Sequence, residues 1–207
     1  MTESVPTEQI ARLRIAVEGI EPVIWRQVEV PLTATLKALH DVIQAAFGWE
    51  GYHLHLFEVG EQRYGVPDPE WDSIDPIRSE KTTRLATLIE RGIRRFSYTY
   101  DFGDDWQHEI VVEAVAASNP AAEYPRFVAG AQRAPPEDVG GVPGYEEFVR
   151  VITRPRHRKH KAMLTWHGGP YDPEDIGEAK IVGALGKLAR RRTLGRAAYL
   201  KSVGRQN

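Results

Sequence analysis

The chain has 207 residues, 42% of them hydrophobic, and no cysteine. That is enough apolar material for one domain, or a domain with an appended part, and it argues against disorder. Without cysteine there can be no disulfides and no thiolate ligands, so any metal would sit on His, Asp or Glu.

The net charge of −2 hides an asymmetry: residues 1–149 carry 13 Lys and Arg against 25 Asp and Glu, and residues 150–207 carry 14 against 4. Such polarity fits either a basic face offered to nucleic acid or two parts of one fold attracting each other, and the second needs no partner. No apolar run approaches the ~18 residues that span a bilayer, and the first residues lack a basic start followed by an apolar stretch. The expectation is a cytoplasmic protein without a membrane partner.

In chain order, Arg12 to Glu18 alternates polar and apolar, Gly19 to Pro22 supplies a turn, and Val23 to Val30 resumes a β-branched run, which predicts a hairpin. Leu36, Leu39, Val42, Ile43, Ala46 and Phe47 recur at helical spacing, with Thr33 or Thr35 as cap and Gly48 as stop. His53 to Val59 reads as a third strand, Gln62 to Gly65 as a short fourth, and Val66 to Thr83 as a surface loop. A turn or two of helix at Leu85 to Ile89 precedes strands at Ile93–Tyr100 and Trp106–Val115.

Together these elements predict an α+β fold with a β-grasp-like mixed sheet, one main helix packed across it and a helical C-terminal part. Residues 1–118 would form the core and residues 119–143 an ordered loop rich in Pro and Gly. Residues 144–207 would form a helical subdomain with a basic tail, all within one cooperative unit. Helices are expected from Gly144, from about Arg156 to Trp166, and from Pro173 at N1 into Leu188, with a frayed tail from Arg190.

Tyr98 to Glu109 packs three Asp, one His and four aromatics into twelve residues. Alternation on both sides of Asp-Phe-Gly-Asp-Asp makes it a hairpin with an acidic tip. The catalytic candidates there are Asp104, Asp105 and His108. The metal-ligand candidates are His53, His55, Asp101, Asp104 and His108, with His53 and His55 sharing a face if both lie in one strand. In the alternative reading the Asp residues cap the turn and His108 bonds a neighbour. Asp-Phe-Gly also occurs in kinases, but no Gly-rich loop, strand lysine or His-Arg-Asp loop accompanies it here.

Pro135 to Gly141 is a rigid acidic loop. Glu137 and Asp138 could reach the hairpin tip and, with Trp49, Tyr52, Trp71, Trp106 and Tyr145, line an acidic aromatic cleft for a cationic or peptide-like ligand. A purely structural loop, with Asp138 starting a turn, is the competing reading and the favoured one. Arg154, Arg156, Arg158, Lys159 and Lys161 form the densest basic run. It could follow a phosphate backbone, although a solvated helix face is the ordinary explanation.

Several strings coincide in order: Pro22 to Arg26, Leu39 to Trp49, His53 to Phe57, Tyr98 to His108, Pro135 to Gly141, and Gly144-Tyr145. Together they resemble the plasmid pRiA4b ORF-3-like family. Members also occur as insertion-sequence passengers under a resolvase-like label, yet no Ser- or Tyr-recombinase motif is present. The resemblance implies a fold and a mobile-element association, and no particular activity. It also points to two cysteines of relatives at positions where this chain has Phe127 and Ala134.

The functional expectation is a non-enzymatic binding or accessory module with a protein or peptide partner and no cofactor. A metal-dependent hydrolase at residues 101–108 using a divalent ion, and a nucleic-acid binder using the basic run, are the alternatives. Oligomeric state stays open.

Overall fold

The computed structural model describes residues 8–67 and 76–203, with side chains placed to residue 198. Trp71 and part of the expected 66–83 loop lie outside the described residues.

Eight strands among the described residues form one sheet. They are β1 Gln9–Val17, β2 Trp25–Pro31, β3 His55–Val59, β4 Gln62–Gly65, β5 Ile77–Ser79, β6 Arg95–Tyr100, β7 Trp106–Ala117 and β8 Arg126–Ala131. The helices are α1 Leu36–Phe47, α2 Leu85–Glu90, α3 Gly141–Ile152, α4 His160–His167 and α5 Glu178–Val203. The sheet order is β5-β4-β3-β6-β7-β1-β2-β8. Only β4 and β5 run parallel, which makes this a mixed sheet in an α+β fold.

Alternation decides which face is buried. Ala11, Leu13, Ile15 and Val17 of β1 share a face with Trp106, His108, Ile110 and Val112 of β7, and all lie at or below 7% exposure. Leu39, Val42, Ile43 and Ala46 of α1 close over them. Removing a side chain such as Ile43 from this contact would cost about 2–5 kcal/mol. Thr35 Oγ1 accepts from Ala38 N–H at the start of α1, and Gly48 ends it at φ 75°.

The opposite face is polar. Glu29 accepts from Arg12 and Arg126 at 2.7 and 2.6 Å. Burial works against its charge, but these hydrogen bonds hold its carboxyl below the usual range.

Phe148, Ile152, Ile181 and Leu185 of the C-terminal helices belong to the same apolar cluster as the strands. Arg191 faces Asp41 at 3.8 Å, and Arg192 and Arg196 both pair with Glu8. Part of the charge asymmetry is therefore neutralised within the fold.

Several elements differ from the sequence expectation. The 119–143 stretch contains a strand, β8, paired with β2, and the 66–83 loop contains β5 on the sheet edge. Both draw their order from a neighbouring strand, which local composition cannot show. Helix α3 starts at Gly141, not Gly144, and α4 starts at His160. Pro173 is not at N1 of α5. Asp172 and Asp175 each accept a backbone N–H two residues on, at 2.9 Å, and these turns delay the helix to Glu178. The expected frayed tail continues α5 to Val203.

Phe127 of β8 pairs with Val28 of β2, and Ala134, 8% exposed, follows β8. Arg26, only 1% exposed, anchors this end of the sheet: it donates to the carbonyls of Trp25, Ala46, Ala131 and Gln132 and lies over the Phe47 ring. Burial lowers its pKa to about 10, so it stays charged at neutral pH. The loop that follows β8 leads directly to Glu137 and Asp138.

Candidate functional site

Strand β6 ends at Tyr100, and the chain turns through Asp101 and Asp105, both at positive φ (56° and 54°). Asp101 Oδ1 accepts from Gly103 N–H at 3.0 Å, which closes the turn. Asp104 Oδ2 accepts from Gly140 N–H at 3.0 Å and so holds the 135–141 loop against the tip. Gly141 makes that contact possible: a Cβ there would lie 2.5 Å from the Asp104 carbonyl oxygen, at φ +66°.

Docking this loop brings Glu137 and Asp138 to His53 and Asp101. His53 Nε2 lies 3.5 Å from Asp101 Oδ2, 3.2 Å from Asp138 Oδ1 and 4.0 Å from Glu137 Oε2. In each carboxylate one oxygen is held by the protein and the other is aimed at this point. Asp101 is held by Gly103 N–H, and Glu137 Oε1 by Glu50 N–H at 2.8 Å and the Tyr100 hydroxyl at 3.0 Å. Asp138 Oδ2 accepts from the Tyr52 hydroxyl at 3.0 Å. Among the described residues, His53 Nε2 and Glu137 Oε2 are shut off from solvent without a hydrogen-bond partner; the His53–Asp138 approach has ion-pair distance but not hydrogen-bond angles.

Three acids and one imidazole thus converge, with Asp138 on the solvent side at 63% side-chain exposure. Burial raises the Glu137 pKa, against the opposing pull of the Glu50 N–H, the Tyr100 hydroxyl and His53. A bound first-row divalent ion with bonds of about 2.1 Å separates its ligand atoms by about 3.0–3.4 Å. The gaps from His53 to Asp101 and Asp138 lie close to that range, and the ligand atoms of these three residues all fall within 4.8 Å of one another. The donor set suits Mn²⁺ or Zn²⁺.

The other sequence candidates lie elsewhere. His53 precedes β3, so it does not share a strand face with His55. His55 Nε2 meets Glu80 Oε2 at 2.7 Å, and its ring stacks on His40 at 3.6 Å. Asp104 is occupied by Gly140, and Asp105 accepts from Gln107 at 2.9 Å. His108 is 0% exposed beneath the sheet, its Nδ1 between the carbonyls of Trp106 and Tyr98 at 3.0 and 3.2 Å. Burial lowers its pKa to about 4, so it is neutral and out of reach of a substrate.

Trp106 is also fully buried, stacked with Trp49 in the core. The Tyr145 hydroxyl donates to the Arg133 carbonyl and meets Tyr171, away from the hairpin tip. Tyr52, one of the aromatics expected at the cleft, does reach the acidic loop through Asp138, whereas Glu50 and Tyr100 were not singled out as site residues by sequence. Tyr100 had a signal, since its alternation with Tyr98 places it on the helix-facing side of the last residue before the acidic turn.

Residues 9–180 match the family described as Plasmid pRiA4b ORF-3-like protein. A relative described as Uncharacterized protein y4hQ, from Sinorhizobium fredii (strain NBRC 101917 / NGR234), is 36% identical over 181 residues, covering 87% of this chain and 92% of that protein. The crystal structure of a protein of unknown function, MM3350 from Methanosarcina mazei Go1, superposes with a TM-score of 0.76 at 36% identity, covering 84% of this chain and 97% of that one. With the family match extending over most of its length, the chain belongs to the plasmid pRiA4b ORF-3-like family.

Proposed function

We propose that this chain is a divalent-metal protein whose metal lies between His53, Asp101, Glu137 and Asp138 and supports hydrolysis of an ester-type substrate. One observation carries the reading: three carboxylates are each oriented by a protein donor on one oxygen while the other oxygen converges on an unpartnered imidazole nitrogen. Oriented, unpaired acids so close together repel one another, and a divalent cation would relieve that repulsion. The Asp138 side leaves room for water and substrate, as catalytic metal sites require. Such an ion would activate water. The water oxygen bonds to the substrate's phosphorus or carbonyl carbon, the bond to the leaving oxygen breaks, and a water proton ends on that oxygen.

A thermal-shift and calorimetric titration with Mn²⁺ and Zn²⁺ tests the metal. Stabilisation of about 2.7 kcal/mol is expected at a hundred times Kd. It should disappear in His53→Ala and persist in Asp105→Asn, which lies outside the cluster. No stabilisation at millimolar ion would overturn the reading. Hydrolysis of bis(p-nitrophenyl) phosphate by the loaded protein tests the chemistry.

A second reading is the non-enzymatic binding or accessory module of mobile-element origin. It draws on Tyr52, Leu54 and Phe102, which are 56%, 67% and 54% exposed next to the acidic cluster. A peptide partner retained equally by metal-free protein, with no hydrolysis by loaded protein, would favour this alternative.

A further inference from the structure

Asp138 belongs to a second feature. A groove of about 440 Å³ is lined by Asp138, by Phe148, Met163 and Trp166, and by the paired Lys159 and Glu147. Helix α4 builds one wall: Met163 and Trp166 are three residues apart and so lie on neighbouring positions of one helical face. Trp166 is 50% exposed and rests edge-on against Phe148 at 5.7 Å between ring centroids. An indole this exposed, beside an apolar floor, is a stacking platform whose outer face has no occupant among the described residues.

Lys159 belongs to a basic run on the adjoining surface. Arg154, Arg156, Arg158, Lys159 and Lys161 are all exposed. Lys159 faces Glu147 at 3.6 Å, and among the described residues the other four form no ion pair. This separates them from the basic residues of α5, where Arg191, Arg192 and Arg196 are paired with Asp41 and Glu8. His157, within the run, is held below its usual pKa by desolvation and by Arg150, Arg158, Lys159 and Arg154. The groove thus runs from Asp138 of the candidate metal cluster past an exposed indole to the Lys159–Glu147 pair, and the cations without ion pairs flank Lys159 in sequence.

A ligand matching all three has phosphates for the cations, a planar base for Trp166 and an anionic ester oxygen for the metal. We infer that the groove receives single-stranded nucleic acid and leads one of its phosphodiesters to the metal cluster. This deepens the metal-hydrolase reading and rests on it. A single strand is required, because a paired and stacked base cannot lay its face on a groove-wall indole. An acidic peptide would meet the cations but would leave Trp166 without a planar partner. The acids at the Asp138 end repel phosphate until a cation occupies them, so binding should strengthen with the ion.

Fluorescence anisotropy with short labelled oligodeoxynucleotides and oligoribonucleotides, with and without Mn²⁺, is the test; binding of either sugar type supports the inference. Trp166→Leu should weaken binding on the order of ten-fold or more. The double variant Arg156→Glu/Arg158→Glu, on exposed positions, should lower the salt slope by about 1.4, as expected for two lost phosphate contacts on a single strand. If Mn²⁺ stabilises the protein but no oligonucleotide binds at low salt, the inference falls and the metal reading stands. If Mn²⁺ fails to bind, both fall. Equal binding of polyglutamate, insensitive to Trp166→Leu, would reduce the groove to a charged surface and also overturn the inference.

Discussion

Two histidine–carboxylate clusters lie side by side under the same sheet end, built from residues that are almost adjacent in sequence, and they are organised in opposite ways. His55, Glu80, His40 and Tyr98 form the sealed one. The Tyr98 hydroxyl accepts from Gln44 at 3.0 Å and hydrogen-bonds His40 Nδ1 at 2.8 Å, while His55 Nε2 pairs with Glu80. His53, Asp101, Glu137 and Asp138 form the open one, where the inward-facing atoms approach without bonding. Strand β6 supplies one tyrosine to each: Tyr98 to the first and Tyr100 to the second. Two residues along a strand separate a structural polar network from a candidate reaction site. The difference lies in whether the facing groups bond one another: His55–Glu80 and His40–Tyr98 do, although Glu80 Oε1 and Gln44 Oε1 find no partner among the described residues, whereas the carboxylates facing His53 Nε2 do not bond it.

The largest effect expected from breaking this contrast lies in the sealed cluster. Glu80 is 0% exposed, so Glu80→Ala leaves the nearly buried His55 without its partner and opens a cavity beside stacked rings. The loss should be about 3–5 kcal/mol by urea unfolding. His53→Ala, which removes no hydrogen bond at Nε2, should cost no more than about 1 kcal/mol. Similar costs at the two positions would erase the distinction between the clusters.

Acid should act next, again through sealed residues. Burial, aided by the neighbouring His55, lowers the His40 pKa to about 3, and burial lowers that of His108 to about 4. Both folded-state values lie below the unfolded value of about 6.5, so the unfolded chain binds more protons as pH falls. The stability they contribute is complete above about pH 6.5. It declines by about 1.4 kcal/mol per pH unit for each histidine, until pH reaches about 4 for His108 and about 3 for His40. Urea unfolding between about pH 7 and about pH 5 measures this, and His40→Gln should flatten the slope by about half.

How much of this was legible in sequence follows from the same contrast. The first hairpin and α1 carry their own periodicity and caps, so Leu13, Ile15, Leu39 and Ile43 could be assigned inward from pattern alone. Strand β8 could not, because Arg126–Ala131 becomes a strand only by pairing with β2. At the site, Asp101, His53, Glu137 and Asp138 were legible as chemistry-bearing residues that could meet at the hairpin tip, but the separation of His55, Asp104 and His108 from them was not. Treating His53 and His55 as one strand face joined the two clusters, since nothing local marks His55 as the first strand residue. Asp104 looks like a ligand by type, yet Gly140 takes its oxygen, a contact across 36 residues.

Within the open cluster, Glu137→Gln should move stability and metal binding in opposite directions. Burial raises the Glu137 pKa in the fold, so its contribution is present below the unfolded value and is lost as pH rises through the folded one. At neutral pH the charge is therefore a cost that Gln removes, and metal-free Glu137→Gln should melt higher than the parent. The same substitution removes an anionic ligand, and the stabilisation of about 2.7 kcal/mol expected at a hundred times Kd should largely vanish. A variant that melts lower and still gains stability from Mn²⁺ would place Glu137 among the structural acids.

Asp138→Asn should have the smallest effect on the fold and so isolates the ligand role. The backbone there sits at φ 56°, a conformation asparagine tolerates as well as aspartate. The side chain is 63% exposed, and an amide oxygen can still accept from the Tyr52 hydroxyl. Urea unfolding of the metal-free protein should therefore change by less than about 0.5 kcal/mol. Metal affinity should fall by about ten-fold, because a neutral oxygen replaces an anionic one at the solvent-facing position. Calorimetric titration with Mn²⁺ reads that change directly. If affinity is unchanged while His53→Ala abolishes it, Asp138 lies beside the ion rather than on it, and the ligand set contracts to His53, Asp101 and Glu137.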